Sequence, residues 1–117
     1  MKINFSKEIH YTPNWNGNDK ALDKFTVVLS VLSFNDFLLI SDAFGKRDEK
    51  GDADSRAIIS NAIPILPRYV QISGLEDNDG PVTPEKLFQY PIFMGLIMEL
   101  MGKLMEISAP AKDDEKN

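Results

Sequence analysis

Few residues of this chain have the type and spacing that catalysis requires. Its 117 residues include one histidine, His10, and no cysteine. This excludes disulfides, cysteine-ligated zinc, iron–sulfur clusters and histidine-rich metal sites. Four carboxylates on predicted helices could form acid/base pairs, but none has a histidine beside it: Asp36, Asp42, Glu99 and Glu106. We therefore predict that these four lie on solvated helix faces, and that the protein is not an enzyme and uses no cofactor.

The acidic segment from Leu75 to Gly80 is the one candidate metal site. A calcium loop of the EF-hand type needs an acid two residues before Asp77 and a bidentate glutamate six residues after Gly80. The chain has Leu75 and Lys86 at those two positions. The sequence therefore predicts a plain turn here and no metal site.

The predicted C-terminal helix is the most informative segment, because it contains every methionine except Met1. Spacings of four, three and four residues place them in one stripe, formed by Met94, Met98, Met101 and Met105. A second apolar stripe lies alongside, with Leu96 beyond it, and consists of Phe93, Ile97, Leu100 and Leu104. This apolar surface is wider than one core face of a small protein requires.

Two interpretations of this helix remain open. In the first, it is a central core element with both flanks covered. In the second, only the Phe93 stripe packs on the fold and the methionines meet a partner or a second copy, because methionine suits surfaces that accept varied apolar sequences. The protein-binding site that we predict consists of Met94, Leu96, Met98, Met101 and Met105.

Two predicted strands precede this helix. Ile3, Phe5, Ile9 and Tyr11 alternate with polar residues, which predicts a half-buried strand. The β-branched segment Phe25–Leu32 predicts a second strand that pairs antiparallel with the first. The loop between them contains the only tryptophan, Trp15, which either folds back over the hairpin or anchors a contact. We favour folding back.

Helix signals follow the second strand. Ser33 is placed to cap a helix that ends at Gly45, and a second helix begins at Asp54 or Ser55. Two prolines should limit that second helix, Pro64 and Pro67. A short strand at Tyr69–Ser73, a turn at 77–81, a helix start at Thr83–Glu85 and a final helix from Pro91 to about Ile107 complete the pattern.

These features predict an α+β fold: an N-terminal β-hairpin followed by a small helical bundle with a long apolar C-terminal helix. We expect one domain over residues 1–110 and a flexible acidic tail over residues 111–117. The net charge of −5 argues against nucleic acid as a partner. The longest apolar stretch is interrupted by polar residues, so we expect no membrane span and a soluble, cytoplasmic protein.

The order of features resembles that of the tail assembly chaperones of long-tailed, siphovirus-like phages. The resemblance covers roughly Phe25 to Ile107. It rests on the segment from Phe25 to Phe34, the segment from Val70 to Glu85 and the apolar C-terminal helix. Many members carry a tryptophan where this chain has Ile72 or Ser73.

The resemblance implies a non-catalytic protein of the host cytoplasm that binds the tape-measure protein and keeps its long amphipathic helices in solution during tail assembly. Tail-tube subunits and further copies of the chain are additional implied partners. The methionine stripe would offer a surface for such helices. The alternative is a small acidic phage protein that inhibits a host defence complex by mimicking the phosphates of nucleic acid, with the apolar helix serving only as core.

Tail assembly chaperones of this type are often made in two lengths, the longer through a one-base backward ribosomal slip near the end of the shorter reading frame. The residues Glu115-Lys116-Asn117 can be encoded by GAA-AAA-AAC, which contains a slippery heptanucleotide in the right frame. The resemblance therefore implies a longer form. The nucleotide sequence at these codons checks this expectation.

Overall fold

The computed structural model, which describes residues 1–110, contains an antiparallel three-stranded sheet formed by two strands near the N-terminus and a third that follows two helices. The predicted tail and slip site lie outside these residues. The strands are β1 (Glu8–Tyr11), β2 (Thr26–Ser30) and β3 (Val70–Ser73), in the order β1-β2-β3. The predicted antiparallel pairing of the first two strands is confirmed, with Ile9 opposite Leu29. The short strand predicted at Tyr69–Ser73 is β3.

The first strand is shorter than its alternating pattern predicts. Ile3 and Phe5 lie before β1 and are 76% and 63% exposed, so their prediction as strand residues is wrong. The carbonyl of Lys7 still accepts a hydrogen bond from the Val31 amide at 2.9 Å. Beyond Val31 the chain turns into a helix, so the residues before Lys7 have no neighbouring strand to satisfy their backbone groups.

Both predicted helix starts are confirmed by their capping hydrogen bonds. Helix α1 (Phe34–Gly45) begins after Ser33, whose hydroxyl accepts from the Asp36 amide at 3.2 Å. Helix α2 (Ser55–Tyr69) begins after Asp54, whose carboxylate accepts from the amides of the first turn. These caps satisfy amides that have no partner within the helix.

Helix α2 continues through both prolines to Tyr69, so the prediction that Pro64 and Pro67 limit it is wrong. A proline inside a helix costs about 3 kcal/mol, and burial contributes about 1.5–3 kcal/mol for each large apolar side chain. The buried side of α2 offsets this cost and consists of Ile58, Ala62, Ile65 and Leu66. Pro64 lies on the exposed side, where carbonyls can tilt toward water.

A small hairpin follows the sheet and confirms the predicted turn. Strands β4 (Glu76–Asp77) and β5 (Gly80–Pro81) pair across it, and the Asp79 amide donates to the Asp77 carboxylate at 2.8 Å. Gly80 has a φ of 120°, a conformation that favours glycine.

The helix predicted to start at Thr83–Glu85 is only a 3-10 turn, Glu85–Phe88. Its first part forms as predicted, since the Thr83 hydroxyl accepts from the Lys86 amide at 3.3 Å. It cannot continue because Tyr90 precedes a proline and is extended, with φ −136° and ψ 135°.

The C-terminal helix restarts at Pro91 as predicted, with a 3-10 turn, Pro91–Phe93, that leads into α3 (Met94–Ser108). Helix α3 contacts both α1 and α2. Strands, helices and the turns before α3 contribute to one hydrophobic cluster, whose members include Val27, Leu29, Ile40, Ile58, Leu66, Val70, Leu87, Leu96, Leu100 and Leu104. The fold is α+β. Within residues 1–110, no helix has the length and apolar character needed to cross a bilayer.

Candidate protein-binding site

The fold divides the predicted methionine stripe. Met94 is 47% exposed, and Met98 and Met105 are partly buried against the core. Met101 and Leu96 have no exposed surface. The prediction that Leu96 and Met101 contact a partner is therefore wrong for this structure, and of the five residues Met94 is the most exposed.

The division follows from the width of the buried face of α3. Successive residues of an α-helix are rotated by about 100°, so Leu96 and Met101 are the two edges of a buried arc of roughly 140°. The arc contains the second apolar stripe and faces α1 and α2. Met94, Met98 and Met105 lie just outside it, next to Met101. This apolar flank is only partly covered.

Met94 borders an apolar groove between α2 and the beginning of α3, which we call the α2–α3 groove. Its volume is about 270 Å³, and its lining consists of Ile59, Ile63, Leu87, Phe88, Gln89, Tyr90, Pro91, Met94 and Ile97. Leu87 and Ile97 are buried at the bottom of the groove. Ile63, Tyr90 and Met94 form a rim, and each of them is about half exposed.

The groove continues along the first turns of α2. A second hollow of about 240 Å³ shares Ile59 and Met94 with it and adds Ser55, Arg56 and Ser60. Ile59 and Ile63 are four residues apart, beside the buried stripe of α2, so they point to one side of that helix. Arg56 lies at this end of the apolar groove.

This groove offers apolar surface and little else. Among the described residues that line it and its extension, none carries a carboxylate or an imidazole. The arrangement can bury apolar side chains of a ligand, and Arg56 can form an ion pair with an acidic group of that ligand at one end of the groove.

The opposite flank of α3 is closed by polar contacts, which we call the Glu99 clamp. The Glu99 carboxylate accepts hydrogen bonds from the Tyr11 hydroxyl at 2.6 Å, the Asn14 amide at 2.7 Å and the Trp15 amide at 2.9 Å. The prediction that Glu99 is merely solvated is therefore wrong. Burial, together with the nearby Glu99 carboxylate, raises the pKa of Tyr11 to about 12.

Trp15 folds back on the protein, as predicted. Its ring contacts Phe25 edge-on at 6.3 Å and lies 5.8 Å from the ring of Phe93, centroid to centroid. Gly95 permits the close approach of α3, because a Cβ at that position would lie 3.2 Å from Trp15 Cδ1. The clamp and these contacts hold the loop after β1 against α3.

Asp36 is the second carboxylate whose predicted solvation is wrong. It is buried and accepts from the Tyr69 hydroxyl at 2.5 Å, and it pairs with Arg68 at 3.0 Å. The hydrogen bond from Tyr69 and the ion pair with Arg68 hold the pKa of Asp36 below its usual value. This cluster joins the start of α1 to the end of α2. Asp42 and Glu106 are exposed, as predicted.

The remaining chemical candidates stay apart from one another. His10 is exposed on β1. Asp77 of the acidic turn pairs with Lys86 at 2.7 Å. Over residues 1–110, no three side chains of histidine, aspartate or glutamate gather closely enough to hold a metal ion.

Sequence reasoning missed the groove residues on α2 and before α3. Ile59 and Ile63 carry a signal, since they form an apolar pair beside the Ile58 and Ala62 stripe. Tyr90 and Phe88 carry none, because their place in the groove depends on how the turns before α3 pack. The three donors to Glu99 are between 84 and 88 residues away from it in sequence, so spacing could not have revealed the clamp.

Comparison of the chain with protein-family models, with curated proteins and with solved structures found no match.

Proposed function

We propose that the protein is a non-catalytic binding protein that accepts an amphipathic helix of a partner in the α2–α3 groove. The observation that carries this proposal is the half-exposed apolar rim of Ile63, Tyr90 and Met94 above a buried apolar floor. Exposed apolar surface of this kind on a globular protein is typical of interaction sites.

The shape of the groove supports a helix more than a small molecule. Pockets for small molecules usually bury most of the ligand's surface, whereas this groove of about 270 Å³ continues into a neighbouring hollow of about 240 Å³ along α2. A helix places anchors at every third or fourth residue along such a groove. Met94, common to both hollows, is flexible enough to adapt to anchors of different size.

The resemblance to tail assembly chaperones supplies the identity of the proposed partner. On that basis the helix belongs to a tape-measure protein, the site of action is the host cytoplasm, and tail-tube subunits join the complex later. Arg56 at the end of the groove favours a partner helix that carries an acidic residue next to its apolar anchors. A tape-measure gene directly downstream would support this assignment.

The groove is tested with overlapping fragments of the tape-measure protein encoded beside this chain. We expect one or more helical fragments to bind, and expect Ile63→Glu and Met94→Glu each to weaken binding by at least about tenfold, because each buries a charge in an apolar contact. Leu22→Glu is the matched control, since Leu22 is fully exposed and lies outside the groove.

Two results would count against the proposal in different ways. Equal affinity of the parent and both groove variants would exclude the α2–α3 groove as the binding site. Absence of binding to any fragment by a folded parent would exclude the tape-measure protein as the partner. Circular dichroism of each variant confirms that the fold is retained.

A further inference from the structure

A second groove lies on the other side of the Pro91–Phe93 turn, between the loop after β1 and the β4–β5 hairpin. It consists of two adjoining hollows of about 390 and 410 Å³, which share Trp15, Asn16, Leu75 and Glu76. We call it the Trp15 groove. It is separate from the α2–α3 groove except that Tyr90 contributes to both.

One wall of the Trp15 groove is apolar and firmly held. Trp15 is fixed by its amide bond to Glu99 and by its contacts with Phe25 and Phe93. Ile92 lines the same hollow and is 71% exposed. A large apolar side chain is thus presented to solvent beside a rigid aromatic surface.

The charged residues that line this groove are all acidic. They are Asp23, Glu76, Asp77 and Asp79, and neither hollow has a basic residue in its lining. Lys86 neutralises Asp77. Within residues 1–110, Asp23, Glu76 and Asp79 take part in no ion pair. Asp23 lies in one hollow, Asp79 in the other, and Glu76 in both, so negative charge is present along the whole groove.

We propose that the Trp15 groove binds a cationic peptide segment of a partner protein, in which lysine or arginine side chains flank an apolar residue. The apolar residue would cover Ile92 and Trp15, and the cations would face the acids at the two ends. Complementary charge at an interface selects the partner and accelerates association, and tryptophan also attracts cations over its ring face. A second copy of this chain is a poor occupant, because each copy carries a net charge of −5.

Trp15 provides the readout, because it is the only tryptophan of the chain and lies in the groove wall. The probes are N-acetylated, tryptophan-free peptides: a leucine–phenylalanine pair flanked by lysines, the same pair flanked by glutamates, and glycines flanked by lysines. We expect only the first peptide to shift the emission of Trp15 saturably. Its affinity should fall as salt is raised, because salt screens exposed charges.

Matched variants separate the groove from general charge attraction. Glu76→Lys combined with Asp79→Lys should weaken binding by at least about tenfold through like-charge repulsion. Glu49→Lys combined with Asp52→Lys changes the net charge equally on an exposed loop outside the groove and should leave the affinity unchanged. All four side chains are exposed, so the variants should fold.

Two further variants test the apolar contact and the independence of the two grooves. Ile92→Ser should weaken binding of the first peptide, whereas Ile63→Glu should not, because Ile63 lines only the α2–α3 groove. Three results would overturn the proposal: no saturable shift with any peptide, equal binding of the glycine peptide, or equal loss in the Glu49/Asp52 variant. None of them bears on the α2–α3 groove.

Discussion

The two flanks of α3 differ in how the rest of the chain meets them. On one flank the Glu99 carboxylate accepts hydrogen bonds from one donor at the end of β1 and two in the loop after it, and Trp15 packs beside it. On the other, Met94 faces α2 across a groove that no other described segment fills. One helix thus has a flank closed by hydrogen bonds and a flank left open.

The difference shows what closes a helix flank in a small domain. The Tyr11 hydroxyl and the Trp15 amide are partly buried and need an acceptor there, so the Glu99 carboxylate fixes the end of β1 and the following loop on α3. Methionine and isoleucine side chains impose no such requirement. An apolar flank can remain half exposed without any unpaired polar group, and it stays available to another molecule.

The largest expected effect comes from the methionines, which the comparison places in different environments. Met101→Ala should lower the free energy of unfolding by about 3 kcal/mol, because it leaves a cavity in the core. Met94→Ala should lower it by less than about 0.5 kcal/mol, because its side chain is half exposed. Urea denaturation followed by Trp15 fluorescence measures both. Similar losses for the two variants would contradict the division of the stripe.

The next effect concerns the closed flank. Glu99→Ala should lower the free energy of unfolding by about 2 kcal/mol, because it leaves the partly buried donors of Tyr11 and Trp15 without their acceptor. It should also shift Trp15 emission to longer wavelength as the loop opens. Glu106→Ala, on the exposed side of the same helix, is the control and should change stability little. An equal loss in both variants would mean that the clamp contributes nothing specific.

The last effect is a pH dependence confined to the clamp. The folded protein raises the pKa of Tyr11 from 10.0 to about 12, so it favours the neutral phenol. The contribution of the neutral Tyr11 phenol to the free energy of unfolding is fully present below pH 10, and it is lost as the pH rises toward 12. Tyr11→Phe should therefore reduce the loss of unfolding free energy between pH 10 and about 12. Denaturation midpoints of both proteins, measured in steps between pH 9 and about 12, test this; parallel profiles would contradict it.

The expectations drawn from residues close in sequence were largely confirmed. Ser33 and Asp54 cap their helices, and Trp15 folds back. Two of these expectations were wrong, because a part of the fold that is distant in sequence outweighed the local signal. Pro64 and Pro67 did not stop α2, because burial of the opposite face offsets the cost of a proline. Ile3 and Phe5 did not join the sheet, because β2 ends before it could pair with them.

The sequence by itself determined the local structure: the antiparallel pairing of β1 with β2, the caps of α1 and α2, and a long C-terminal helix with an apolar surface. The caps and the helix depend on residues within a few positions of one another, and β1 and β2 follow one another in the chain, joined by one loop, so side-chain type and spacing act directly. The tertiary structure alone decided that Leu96 and Met101 are buried, that Met94 stays half exposed and that Glu99 binds the end of β1 and the loop after it, 84–88 residues away. The physical reason is that burial and long-range hydrogen bonds depend on which distant segments the packed core brings together, and the spacing of residues along the chain does not encode this.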